Sequence, residues 1–246
     1  MDSATVKKYF ESADTVRAYA DAAENVGLWA SERIVFEKFI PKSAAVLELG
    51  CGAGRIARGL SELGYANITA TDFSRAMVEA AEKIARSHGD ATACMVCDAT
   101  DIPFGADSFD AVIFGFNGLM QIPLRKNRRR AMLEIFRVLR PGGLFIFTTH
   151  DRAAPANAEY WRGERVRWER GCQNPILDEF GDLFYLEGRG GVFIHSPERA
   201  EIAEDAAFAG FKTIFEAARS EISPENAAVE EFSDECVFRV LEKPTP

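Results

Sequence analysis

The stretch Val46-Leu-Glu-Leu-Gly-Cys-Gly-Ala-Gly-Arg55 sets Gly50, Gly52 and Gly54 at alternate positions directly after an apolar run. Glycine has no Cβ and accepts positive φ, so a loop of this kind lets a ligand lie against the backbone. Between a buried parallel strand and a helix whose first N–H groups are free, it suits a nucleotide-like ligand. The spacing is G-x-G-x-G, with Arg55 where a dinucleotide fingerprint places its third glycine, and no G-x-x-x-x-G-K-[ST] phosphate loop is present. Carboxylates stand at the next two strand ends. Asp72 closes NITATD and can accept both hydroxyls of a ribose, while Asp98 closes CMVCD further along the same edge.

Other reactive side chains are sparse. His150 follows the fifth strand and is the candidate general base, with substrate contact and plain structural hydrogen bonding as its other roles. His88 reads as a solvated helix-end residue, and His195 faces either a pocket or solvent. Cys94-x-x-Cys97 has metal-like spacing, but no second pair follows and positions three apart on a strand face opposite ways. It reads as core thiols, and no metal site is expected. The run Arg125-Lys-Asn-Arg-Arg-Arg130 is either a solvated helix face or a docking patch for nucleic acid or an acidic partner.

The elements that position these residues alternate. Strands are expected over 45–49, 68–71, 93–97, 111–116 and 144–149, with helices over 55–63, 74–87 and 123–139 between them. Ser74 is placed as an N-cap and Pro141-Gly142-Gly143 as a helix stop. Short apolar strands alternating with helices predict a parallel sheet covered on both faces. Ahead of it lie a polar helix over 3–24 and a second over 29–40. After His150 the pattern gives way to an aromatic and glycine-rich segment, with a β-hairpin whose strands flank Gly188-Arg-Gly-Gly191. A helix over 197–210 and strands over 212–217 and 236–241 close the chain.

Composition sets outer limits. The chain has 246 residues, 47% of them hydrophobic, and a formal net charge of −9, which opposes broad electrostatic binding of nucleic acid. Nothing in it reads as a membrane span or a secretion signal, and its five scattered cysteines do not suggest a disulfide framework. A cytoplasmic location is the expectation.

VLELGCGAGR, TATDFS, VCDATDIPF, FDAVIFGFNGLMQI and LRPGGLFIFTT, in that order, resemble the successive motifs of class I S-adenosylmethionine-dependent methyltransferases. The resemblance covers residues 44–150 and resumes over 197–242. It implies a three-layer α/β/α sandwich whose seven-stranded, mostly parallel sheet has the order 3-2-1-4-5-7-6 with strand 7 antiparallel. Residues 1–43 would be a helical lid, 44–150 the Rossmann-like cofactor core, 151–196 an inserted α+β substrate segment, and 197–246 the rest of the core.

The resemblance also implies S-adenosylmethionine as cofactor and S-adenosylhomocysteine as product. Gly50, Cys51, Gly52 and Gly54 would line its methionine and ribose, Asp72 would hold the ribose hydroxyls, and Phe73 and Met77 would lie near the adenine. Asp98 would accept from the adenine amino group beside the Ala99 N–H, and Asn117 and Met120 would flank the sulfonium. Glu48 either supports the glycine loop as a structural acid or faces the cofactor's cationic end. Tyr19 is a lid contact or simply packed. Trp29, Tyr160, Trp161, Tyr185 and His195 are the candidates for a substrate wall, against the alternative that the aromatics are the insertion's own core.

Methyl transfer from a sulfonium is an in-line displacement in which alignment supplies much of the rate, and a base is needed only for a protonated nucleophile. A small-molecule acceptor is the expectation. Its rivals are an RNA or protein methyltransferase docking through residues 125–130 and a non-catalytic cofactor-binding module; the loop spacing disfavours a nicotinamide dehydrogenase.

Overall fold

The computed structural model of the protein describes residues 1–187 and 190–245. β1 (Ala45–Leu49), β2 (Asn67–Asp72), β3 (Ala93–Val96), β4 (Phe109–Phe114) and β5 (Leu139–Thr149) pair in parallel. A hairpin of β6 (Asp182–Glu187) and β7 (Gly190–His195) stands apart from this sheet. β8 (Lys212–Ala218) and β9 (Val237–Glu242) complete the sheet, with β9 antiparallel to both β5 and β8. The spatial order is β3-β2-β1-β4-β5-β9-β8. With the hairpin set aside, this is the expected 3-2-1-4-5-7-6 arrangement with its antiparallel seventh strand.

Strand alternation sends neighbouring residues to opposite layers. Val46 packs with Ile56 and Leu60 of α4 (Arg55–Glu62), Val35 and Phe36 of α3 (Ala30–Phe39), and Ala81 of α5 (Arg75–Ser87). Its neighbour Leu47 joins Met132 and Ile135 of α6 (Arg125–Val138) and Ile202 and Ala206 of α8 (Arg199–Ala209). α5 starts at the expected cap, where the Ser74 hydroxyl accepts from Met77 N at 3.3 Å. No helix among the described residues is long and apolar enough to cross a membrane.

Four local expectations are corrected. The N-terminal helix is two, α1 (Ser3–Phe10) and α2 (Ala13–Asn25), because Ser12 turns extended and caps a new start through Thr15 N at 3.3 Å. Pro141-Gly142-Gly143, expected as a helix stop ahead of the strand, lies within β5, since α6 already ends at Val138. The strand runs through them across a register shift, and Gly142 N and Gly143 O both bond Lys243 of the C-terminal segment. Two short helices, α9 (Arg219–Ile222) and α10 (Ala227–Phe232), fill the connection from β8 to β9, too short to show helical periodicity in the sequence. The tip of the hairpin turn, residues 188–189, lies outside the described residues.

The fourth correction concerns the basic run. Within it only Lys126 and Arg130 are exposed, and most of its charge is paired inward. Arg128 is 1% exposed and meets Glu179 at 2.6 Å, Arg125 and Arg129 converge on Asp205 at 2.8 and 2.7 Å, and Arg125 also pairs with Glu204. Arg130 spends its Nε on the Thr100 carbonyl. These arginines fasten α6 to α8 and to the segment before β6.

Candidate active site

Strand order reverses between β1 and β4, since β2 lies outside the one and β5 outside the other. In an open parallel sheet the crevice beyond the carboxyl ends at that point is where ligands bind. A cavity of about 260 Å³ opens there. The glycine loop forms its floor, Ser3, Val6 and Phe10 of α1 and Tyr19 of α2 lean over it, and Asp72, Phe73 and Asp98–Thr100 line one side. Phe114, Gly115, Phe116 and Gly118 of the β4 end line the other, joined by Phe232 of α10.

The loop is built for close approach. Gly50 and Gly52 have φ of 63° and 54°, in the left-handed region that side chains resist. A Cβ on Gly52 would stand 2.9 Å from Cδ1 of Tyr19, and one on Gly50 would stand 2.7 Å from Cε2 of Phe114. Asp72 fixes the loop from the next strand. Its Oδ2 accepts from Gly52 N at 3.0 Å and its Oδ1 from Ser74 N at 2.8 Å. Burial pushes this carboxyl up to about 6 against the pull of those two N–H groups. Asp98 is arranged similarly, with Oδ1 accepting from Thr100 N and Oγ1, both at 2.8 Å.

Glu48 differs from both. It is 2% exposed, lines the cavity, and its Oε2 has no hydrogen-bond partner. Burial, only partly opposed by the Arg55 charge and assisted by Glu32, pushes it up to about 8. Arg55 is itself committed: its two terminal nitrogens meet the Glu32 carboxylate at 2.6 and 2.7 Å, and one also donates to Gly27 O. Glu32 in turn caps α3 by accepting from Trp29 N at 3.0 Å. The third-glycine position therefore serves to tie the loop to the start of α3.

Residues 47–147 match the family model described as a methyltransferase domain. Over those residues the chain is similar to methyltransferase domains. Over 108 residues the chain is 40% identical to a ubiquinone/menaquinone biosynthesis C-methyltransferase of Desulfotalea psychrophila, covering 42% of this chain and 40% of that protein. It is 34% identical over 106 residues to a malonyl-[acyl-carrier protein] O-methyltransferase of Salmonella typhimurium, covering 43% and 39% respectively. The chain thus spans about two fifths of the length of these curated relatives. In fold it is similar to the crystal structure of a methyltransferase from Methanosarcina mazei, with a TM-score of 0.71 at 20% identity over 89% of this chain and 100% of that one.

Tyr19, Glu48, Gly50, Cys51, Gly52, Asp72, Phe73, Asp98 and Ala99 come together on the cavity. Gly54 sits just behind as the left-handed N-cap of α4. Met77 does not reach it; it is fully buried among Val6, Tyr9 and Phe10 of α1 and Phe193 of β7. Met120 is likewise core, and Asn117 lies behind Phe116 and Gly118. Cys97, expected as a core thiol, is buried but lines the cavity. Sequence reasoning missed Phe116, Arg55 and above all Phe232, which only the chain's return through α10 brings alongside.

The residues expected to act on substrate are placed elsewhere. His150 does not line the cavity. Its Nδ1 faces the Glu235 carbonyl at 3.1 Å and so carries the proton, and its Nε2 accepts from Asn117 Nδ2 at 3.2 Å. No lone pair remains for an acceptor's proton. His195 is 1% exposed and held by Asp182 and Glu201, each at 2.8 Å, facing neither cavity nor solvent. Burial would raise Glu201, but His195, Arg128 and Arg152 hold it at about 2.

Among the described residues Glu179, Asp182 and His195 have metal-ligand spacing, yet all three are spent in this ion-pair network. Trp29 is buried between Arg55 and Arg219. Trp161 packs on Phe180 as core for α7 (Ala158–Glu169), while Tyr160 and Tyr185 lie on the surface, 50% and 46% exposed. None of these four lines the cavity.

Proposed function

We infer that the protein is an S-adenosylmethionine-dependent methyltransferase acting on a small-molecule acceptor. One observation carries this: Glu48 presents a buried carboxylate oxygen without a partner beside the glycine loop, in the same cavity as Asp72 and Asp98. An unsatisfied buried acid is costly and is satisfied by a cation, here the cofactor's α-ammonium. Asp72 keeps acceptor capacity for the ribose hydroxyls, and Asp98, with one oxygen engaged, keeps the other for the adenine amino group. Phe73 would flank the base, and the backbone of Gly50 and Gly52 would lie along the methionine and ribose. Bound there, the cofactor supplies a methyl group on a positively charged sulfur whose departure needs no protein acid.

The relatives named above are a C-methyltransferase of ubiquinone/menaquinone biosynthesis and an O-methyltransferase of malonyl-[acyl-carrier protein], which supports an acceptor group of modest size here. The internal pairing of Arg125–Arg130 argues against docking of RNA. Because His150 is fully engaged, the chain holds and aligns an acceptor rather than deprotonating it with that residue. Calorimetric titration with S-adenosylmethionine and, separately, with reduced nicotinamide cofactor tests the assignment. Micromolar binding of the first alone is expected; binding of the nicotinamide, or of neither, overturns it. Release of S-adenosylhomocysteine across a panel of small acceptors then tests turnover.

A further inference from the structure

We propose that His150 is a positioning residue, which fixes the relation between two walls of the cavity that come from separate segments of the chain. This rests on the methyltransferase reading above and gives the histidine a role in it other than that of a base.

The first wall is the turn after β4. Phe116 and Asn117 both have left-handed backbone, with φ of 47° and 59°. Residues other than glycine enter this region rarely and stay only where their surroundings hold them. Gly118 N closes the turn on the Gly115 carbonyl at 3.0 Å, and Asn117 N donates to Thr148 Oγ1 of β5 at 2.9 Å. The second wall is the end of α10, where Phe232 lines the cavity beside Phe116. The two rings stack 4.8 Å apart and within 13° of parallel, and Trp29 meets Phe116 edge-on at 5.9 Å.

His150 bonds to both segments. Its Nδ1 donates to the Glu235 carbonyl, on the return from α10, and its Nε2 accepts from the side-chain amide of Asn117, the neighbour of Phe116. Asn117 is 3% exposed and its Oδ1 is buried without a partner, so the amide takes its orientation from His150. A neutral imidazole has one donor and one acceptor, and here each faces the group that matches it. The ring is a firm reference point, because it follows directly on Thr149, whose pairing with Val237 lies in the sheet. The α10 segment is anchored on its other side to α3, where Glu225 accepts from Ala30 N and Ser31 N, both at 2.9 Å. The β4 turn and the α10 end therefore meet at the ring stack and at His150. Aromatic pairs have several offset and tilted arrangements of similar energy, so a stack alone leaves the lateral placement of its rings loose. Two directed hydrogen bonds remove that freedom. In a displacement whose rate depends on alignment, a side chain outside the cavity acts by setting where the wall stands.

The test places 4-fluorophenylalanine at position 232, whose fluorine resonance senses the ring current of Phe116 with no ligand present. The labelled chain is compared with its His150→Gln, His150→Leu and Asn117→Gly variants. Glutamine keeps one donor and one acceptor, leucine keeps neither, and glycine accepts the left-handed backbone while removing the amide. The labelled chain should give one resonance displaced from its position in urea, and His150→Gln should keep it. His150→Leu and Asn117→Gly should each lose most of that displacement or split the signal. Calorimetric affinity for S-adenosylhomocysteine should fall about 5- to 12-fold in these two variants and be restored in His150→Gln. The double variant His150→Leu/Asn117→Gly should bind no more weakly than His150→Leu, since both changes break one bond. Should His150→Leu fail to fold, Asn117→Gly carries the same comparison. A fluorine displacement unchanged in the folded variants, even with a lowered Tm, overturns the proposal, as does a loss in His150→Gln equal to that in His150→Leu. Absence of S-adenosylhomocysteine binding to the unmodified chain overturns the methyltransferase reading and the positioning role together. Binding with a fluorine displacement indifferent to His150 overturns the positioning role alone.

Discussion

Both oxygens of Asp72 are in use before a ligand arrives, one on Gly52 N and the other on Ser74 N. It therefore shapes the loop and offers its remaining lone pairs to a ribose at once. Asp72→Ala should weaken binding of S-adenosylhomocysteine by about 1.5–3 kcal/mol, roughly 10- to 150-fold, the range for hydrogen bonds to a charged group. Asp72→Asn should recover only part of this, because its NH2 must face one of the two N–H donors. Unchanged affinity in a folded Asp72→Ala chain would show that the ribose lies elsewhere. The strand-end position of this acid was legible from the alternation of strands and helices. Its hold on Gly52, 20 residues away, was not, because only parallel pairing of β1 with β2 brings the two together. His150 misled for the converse reason: its place after β5 was legible, but not the Asn117 amide and Glu235 carbonyl that occupy its ring.

At the scale of elements, α6 shows how a charge run can be misread. Periodicity and length located the helix, but the sign of its exposed face depended on α8 and on Glu179, which no local window contains. Arg128 is the centre of that contact, and it also donates to the Ile122 carbonyl, on a residue that lines the cavity. Arg128→Met keeps most of the stem and removes the charge, leaving Glu179 facing a gap. Breaking one side of a buried pair costs about 3–5 kcal/mol. For a chain of this size that corresponds to a fall in Tm of roughly 6–20 °C. Lys126→Ala, on the exposed side of the same helix, should leave Tm almost unmoved. Thermal denaturation of the two variants decides the matter, and equal small shifts would mean that α6 and α8 are held by their apolar seam alone. α9 and α10 were not legible in the sequence, since four and six residues carry too few apolar positions to reveal a period.

For the whole molecule, the buried acids of the cavity make stability depend on pH in an unusual direction. Glu48 is raised from 4.5 to about 8 and Asp72 from 3.8 to about 6, each by burial before any other cause. Between the unfolded and folded values, the folded chain binds protons that the unfolded chain has released. Stability on their account is complete below the unfolded values and is lost as pH rises through the folded ones. Glu201, lowered to about 2, has the opposite sign, but its window lies below 4.5 and does not overlap. From pH 5 to 8 the unliganded chain should therefore lose thermal stability as pH rises, and Glu48→Gln, which is neutral throughout, should flatten the upper part of that slope. A cation bound against Glu48 changes the balance, since it favours the ionised acid. Binding of S-adenosylhomocysteine near pH 7 should then release a proton, measurable as a calorimetric heat that varies with the ionisation enthalpy of the buffer, and Glu48→Gln should abolish that variation. A heat independent of buffer in the unmodified chain would place the ligand's ammonium away from Glu48. The stability slope would survive such a result, because it follows from burying the acid and not from what later fills the cavity.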